Sequence, residues 1–327
     1  MDNIGGTSRT FNWGYDPLYR LTNEVITVAS PTGTLSYRYD SVGNRTNRMS
    51  SVSGIGNQAL SYNTNDWLTT DTYDNNGSTT ASSGNTYGYD VEGRLTNFNS
   101  GAVTYAYNAD GIRVRRTSGG VTTLYLVDDQ NPTGFPQVLE ELTVSGGTTN
   151  LAKIYTYGHD LIAQRQASGN VLHFFGYDGS GNTRYLTATN ATISDTYVYD
   201  AFGTLLTSTG STPNDYRFSG EQFDSSLGLY YLRARYLNPG TGRFWTRDTL
   251  AGQNDDPVSL HRYLYASANP INNSDTSGHE NLASQLVTAF GLGNLASSLN
   301  CLLYTSDAAD DLLCVNLGGR TNIKKKI

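Results

Sequence analysis

Apolar and polar residues alternate with a period of two over short runs along most of the chain, and each run ends in a tight polar segment. Leu35, Tyr37 and Tyr39 occupy alternate positions, which places them on one face of a strand. Asp40 follows Tyr39 directly. The same pair recurs at Tyr15-Asp16, Tyr73-Asp74, Tyr89-Asp90, Tyr107-Asn108, Tyr177-Asp178 and Tyr199-Asp200. In six of these seven copies a glycine stands three positions after the Asp or Asn, at Gly43, Gly77, Gly93, Gly111, Gly181 and Gly203. In the first copy Tyr19 holds that place. An Asp side chain accepts from backbone N–H groups two residues on and starts a turn. A glycine with positive φ then closes a hairpin with a bulge. The unit is therefore a β-hairpin. Tyrosine, with its apolar ring and polar tip, suits a half-buried strand.

One hairpin cannot bury its apolar face, whereas hairpins stacked on one another can. Most copies lie about 16 to 24 residues apart, and the step from Asp40 to Asp74 spans two units with Tyr62-Asn63 as a decayed copy. An all-β fold follows, with residues 8–240 forming a curling antiparallel sheet of hairpins. The plainer alternative is a β-sandwich with tyrosine-rich strands.

Composition narrows the picture. The 327 residues include 35 Gly, 24 Tyr and 8 Pro, with 16% charged residues and a net charge of −7. No apolar run reaches the roughly 18 residues of a membrane span. The first residues lack the basic and apolar regions of a signal peptide. An acidic chain without a basic stripe does not read as a nucleic-acid binder. The tyrosines argue against disorder, because disordered chains are poor in aromatics. Both cysteines, Cys301 and Cys314, fall in the last 27 residues together with Lys324, Lys325 and Lys326. Two cysteines with no His or further Cys pair complete no metal ligand set, and no cofactor is expected. CLLYTSDAAD in this stretch resembles the translation of a sequencing adapter, so residues 301–327 are expected to be an artefactual tail and the chain a fragment at both ends.

The segments YRYDSVGNRTN, YGYDVEGRLTNF and YAYNADGIRVRR resemble the tyrosine–aspartate (YD) repeats of the Rhs family, which also occur in the C subunits of insecticidal Tc toxins and in teneurins. YTYGHDLIAQRQ, FFGYDGSGNTRYLT and YVYDAFGTLL resemble later repeats. Residues 216–248 are similar to the start of the Rhs repeat-associated core, and YLYASANPINNSDTSG to its end. The resemblance implies repeats over 1–215, a core over 216–279, the start of a variable C-terminal region over 280–300, and then the tail. In that family the repeats wind into a hollow β-shell around a C-terminal polypeptide, usually a toxin. The core plugs the shell and, in many members, acts as an aspartyl-type autoprotease that frees the toxin. Teneurins use a related shell for cell-surface contact.

Family members carry an Arg-Asp in the core, then Pro-x4-Asp-Pro-x-Gly-Leu, with cleavage after the Leu. Arg247-Asp248 matches the first element, and Pro270 with Asp275-Thr276-Ser277-Gly278-His279 matches the second. Thr276 replaces Pro, which alters the rigidity of the turn, and His279 replaces Leu. The resemblance implies Asp248 and Asp275 as the catalytic pair, Arg247 in support, and a cut between His279 and Glu280. Two close carboxylates do not both ionise easily. The ionised one can activate water while the protonated one polarises the scissile carbonyl. The bland alternative makes both aspartates turn formers.

Other features read more plainly. Asp255 and Asp256 belong to a solvated loop, and His261 to a short helix with Leu260, Tyr263 and Leu264 inward. Asp178-Gly-Ser180-Gly-Asn182 has the oxygen spacing of a calcium loop, but Thr189 stands where that loop needs a glutamate, so a hairpin turn is expected. Leu282, Leu286, Val287, Phe290 and Leu292 suit an amphipathic helix broken at Gly291 and Gly293.

Two functions follow. One is a shell fragment, secreted or on the bacterial surface. Its partners are its own C-terminal toxin cargo and a secretion-system or cell-surface component, and its only enzymatic activity is self-cleavage. The other is a surface adhesion or carbohydrate-binding module without cargo, since aromatic faces also stack on sugars.

Overall fold

The computed structural model describes residues 2–4, 7–27, 30–252, 254 and 257–279. The helix expected over 280–300, the tail, and Asp255, Asp256 and Glu280 lie outside these residues. Six strands between Asp2 and Ala59 form one sheet, fourteen between Thr72 and Thr209 a second, and four between Gln222 and Phe244 a third. Within each sheet every strand pairs antiparallel with its neighbours in sequence, the meander that stacked hairpins produce.

The repeat turn is built by its aspartate. At Asp90 the backbone N–H donates to Arg94 O at 3.0 Å, and Gly93 N–H donates to Asp90 O at 3.1 Å. Asp90 Oδ1 accepts from the N–H groups of Glu92 and Arg94 at 3.0 and 2.9 Å. The same pattern holds at Asp40, Asp74, Asn108, Asp178 and Asp200. The loop at Asp178 is thus a plain hairpin turn. At Gly77, φ is +85°, and a Cβ would meet the Tyr263 hydroxyl, so only glycine fits there. The decayed copies keep the turn and bear its strain on other residues, with Asp66 at φ +61° after Asn63 and Tyr19 at +59° after Asp16.

Four of the repeat tyrosines, Tyr39, Tyr89, Tyr107 and Tyr177, also tie one repeat to the one before. The ladder shifts register at the tyrosine, which places Tyr89 opposite Leu95 and Tyr107 opposite Arg113, a β-bulge. The hydroxyl of Tyr107 then donates to Leu95 O at 2.8 Å, the residue paired with the preceding repeat's tyrosine. Tyr39 to Leu21 O, Tyr89 to Thr79 O and Tyr177 to Leu161 O repeat this bond at 2.6 to 2.7 Å. Phenylalanine would supply the ring without the bond.

Residues 216–279 sit inside a ring of these turns. Tyr263 and Tyr230 hydroxyls donate to Gly77 O and Gly203 O at 2.8 and 3.0 Å. Ser219 N–H donates to Asn182 Oδ1 at 2.8 Å, and Arg243 Nη2 to Asp66 O at 2.6 Å. Buried clusters mix both parts of the chain. Leu186, Tyr197 and Tyr199 pack with Phe218, Tyr230 and Phe244, while Tyr87, Leu95 and Tyr105 pack with Tyr236 and Trp245. The repeat tyrosines Tyr37, Tyr87, Tyr105, Tyr155, Tyr197 and Tyr199 are buried, so their rings face protein rather than a surface ligand. The described residues through His279 belong to one compact unit.

The helix expected around His261 does not form. A 3₁₀ turn covers Pro257–Leu260, where Leu260 is exposed. The following backbone pairs with the core instead, through Asp248 N–H to Arg262 O and Phe244 N–H to Tyr263 O, both at 2.9 Å. These bonds, with a single bridge from Leu264 to Arg243, tie a turn at Arg262 and Tyr263 to the core. His261 Nδ1 accepts from Tyr263 N–H and Nε2 faces Asn44 Oδ1 at 2.8 Å. Burial pushes the imidazole pKa well down, so it serves as a neutral structural link.

Candidate active site

The centre of the core is one arginine. Strand Arg235–Asn238 pairs with Leu229–Leu232 on one side and Arg243–Phe244 on the other. The buried Arg235 guanidinium lies 3.6 Å from the centroid of the Phe244 ring. Its Nη2 reaches Asp248 Oδ2 at 2.7 Å and Asp275 Oδ2 at 3.5 Å. Its Nη1 donates to Arg262 O at 3.0 Å, and its Nε donates to Gly278 O. One cation thus joins the segments at 248, 262 and 275–278.

Both carboxylates grip His279. Asp248 Oδ1 lies 2.9 Å from His279 Nδ1 and accepts from Leu250 N–H at 3.0 Å. Asp275 Oδ1 accepts from the N–H groups of Gly278 and His279 at 2.8 and 3.1 Å and from Ser277 Oγ at 3.2 Å. Gly278 completes the turn with φ +77° against strand Leu229–Leu232, where a Cβ would collide with Leu232 O. Burial pushes the Asp275 carboxyl up to about 6, against the pull of Arg235 and the turn N–H groups, and the Asp248 charge adds to the rise. Burial also draws Arg235 down to about 10. Two carboxylates facing one cation leave a charge uncompensated, which favours a proton on one of them.

The structure brings Asp248, Asp275 and His279 together. It does not bring Arg247 to either carboxylate. Arg247 is exposed and forms no ion pair among the described residues. Arg235 stands where Arg247 was expected, since Asp248 is buried while its neighbour Arg247 is exposed. The signal for Arg235 was a pair of arginines, Arg233 and Arg235, inside the aliphatic and aromatic run LYYLRARYL. Asp248, Ser277 and His279 line a cavity of about 800 Å³, whose wall also includes the repeat turns carrying Arg94 and Asp110.

A family profile described as Teneurin YD-shell matches residues 2–271. The chain belongs to the teneurin YD-shell family. Among curated proteins it is 29% identical over 274 residues to the tRNA3(Ser)-specific nuclease WapA of Bacillus spizizenii. It is also 29% identical over 271 residues to the tRNA nuclease WapA of Bacillus subtilis. Each match covers 80% of this chain and 12% of the relative, so the chain spans a small part of their length. A crystal structure of TcdB2-TccC3-Cdc42 covers 82% of this chain and 15% of its own, with TM-score 0.66 at 21% identity. A Photorhabdus luminescens Tc holotoxin pore covers the same shares with TM-score 0.67 at 19% identity. These likenesses show a shared YD-shell fold. The YD-shell match ends at residue 271, so Asp248 lies within it, and Asp275 and His279 just beyond.

Proposed function

We propose that this chain is the closing end of a toxin-carrying YD shell, secreted or surface-exposed in a bacterium, and that its core cuts the polypeptide after His279. The reading rests on one observation, that Asp248 and Asp275 share Arg235 and both bond the residue preceding the expected cut. Asp248, ion-paired at 2.7 Å, is the base that takes a proton from water. The water oxygen adds to the His279 carbonyl carbon. Asp275, which burial keeps protonated more readily, gives its proton to the departing amide nitrogen of residue 280 as the C–N bond breaks. Arg235 keeps the pair in place.

His279 is also a brake. Its imidazole occupies Asp248 Oδ1, the atom a water would need. The wild type is therefore expected to cut slowly, and His279→Leu with Thr276→Pro to cut faster. Asp248→Asn or Asp275→Asn should abolish cutting, since loss of one member of a catalytic unit commonly costs orders of magnitude. Intact mass of the expressed chain reads all four. If wild type and the double variant both stay whole under folding conditions, the core is a plug and the aspartates only shape turns.

The names of the Bacillus relatives support a tRNA-cleaving nuclease as the effector class of the parent protein. Recovering the coding sequence past residue 300 tests the cargo reading. A variable domain of about a hundred residues followed by a small immunity-like gene supports it. A stop codon or further repeats would overturn it.

A further inference from the structure

We propose that the cavity beside His279 is a binding cleft for an acidic stretch of polypeptide, held by Arg113, Arg247 and Arg262. Its volume of about 800 Å³ lies in the range of clefts that enclose a ligand. Six arginines line it: Arg94, Arg113, Arg233, Arg235, Arg247 and Arg262. Three already have carboxylates. Arg94 pairs with Asp90 and Glu92 at 2.7 and 2.8 Å, Arg233 with Glu221 at 2.7 Å, and Arg235 with Asp248 at 2.7 Å.

The other three have no carboxylate within ion-pair distance among the described residues. Arg113 is 4% exposed. It donates to the Tyr236 hydroxyl at 3.0 Å and to Gln222 Oε1, and its guanidinium lies 4.0 Å from the centroid of the Tyr231 ring. Its buried Nε has no partner. A buried cation with an unused donor is costly unless an anion comes near. Arg262 donates to the backbone oxygens of Asp248 and Leu250. Arg247 is exposed toward the cavity. Asp110 is the only lining carboxylate without an ion pair among the described residues. The lining itself holds six arginines against three carboxylates, Glu92, Asp110 and Asp248, in a chain whose net charge is −7.

The lining selects the occupant. An arginine fork matches a carboxylate with two parallel bonds. Val91, Ile112, Val127 and Val138 share the wall, which suits the side chains of a peptide. The chain itself reaches this wall at His279, so polypeptide is what the cavity meets. Binding needs only the arginines and does not depend on whether the carboxylates cut.

The test is fluorescence anisotropy on the full-length chain. The probes are a fluorescein-labelled peptide of alternating Glu and Leu, its Lys-Leu counterpart and a short single-stranded DNA. The acidic peptide is expected to bind, more weakly as salt rises, and the basic one not to bind. Arg247→Gln, a surface change, should weaken binding severalfold, and Arg247→Gln with Arg262→Gln about tenfold or more. Arg165→Gln, an exposed arginine bonded to Asn170 outside the cavity, should leave it unchanged. Absence of acidic-peptide binding would overturn the proposal, as would equal loss in the Arg165 variant. Tighter DNA binding lost in the same double variant would make the cavity a nucleic-acid site instead. Self-cleavage is read by mass, so each idea can fail alone.

Discussion

Glu24 shows how far one buried side chain sets the chain's response to pH. It lies in strand Leu21–Thr27, and its Oε2 accepts the Ala201 N–H at 2.9 Å. Burial, with the nearby Asp200 charge adding, pushes its carboxyl from 4.5 up to about 8. The native chain therefore holds a proton that the unfolded chain has released between those values. The stability it contributes is complete below about 4.5, falls as pH rises and is gone above about 8. Glu24→Gln keeps the acceptor for Ala201 without the charge, and is expected to flatten that decline. Urea midpoints for both proteins at about pH 5 and about pH 9 check it. Parallel declines would mean that another group carries the dependence.

The hairpin element depends on the tyrosine hydroxyl as much as on the aspartate. Asn108 builds the same turn as Asp90, so the turn needs a side-chain acceptor rather than a charge. The hydroxyl bond from Tyr107 to Leu95 O spans two repeats and lies against the buried cluster around Tyr87 and Tyr105. Tyr107→Phe keeps the ring and is expected to cost about 1 kcal/mol, measured as a lower urea midpoint with unchanged slope. No loss of stability would mean that water satisfies the carbonyl equally well.

At the scale of the whole molecule, turns far apart in sequence close on one core. Gly77, Gly203, Asn182 and Asp66 are bonded to residues of the segment 216–279, and the buried clusters cross from repeats to core. The chain through residue 279 is therefore expected to unfold in one cooperative step, with tyrosine fluorescence and far-ultraviolet circular dichroism giving the same midpoint. Two separated transitions would show that the repeats stand without the core.

The hairpin repeat was legible in the sequence because everything it needs is local. Asp40 and Gly43 lie within one turn, and Leu35, Tyr37 and Tyr39 within one strand, so spacing alone specifies turn, face and all-β class. Even the decayed copies at Asp16 and Asn63 kept the aspartate-type acceptor that makes the turn. The candidate site was legible only in part. Asp248 and Asp275 could be named only through the resemblance to the family's core motif, and their partner could not, because Arg235 reaches them through a buried strand rather than along the chain. Arg247 drew attention by adjacency, yet it is exposed where Asp248 is buried and lines the cavity instead. The non-helical course of the segment after His261 was likewise decided by backbone bonds to residues 244 and 248. Local hydrogen bonding and alternation fix what the chain can form. Which buried charges then meet is set by packing between distant segments, where one cation faces two carboxylates.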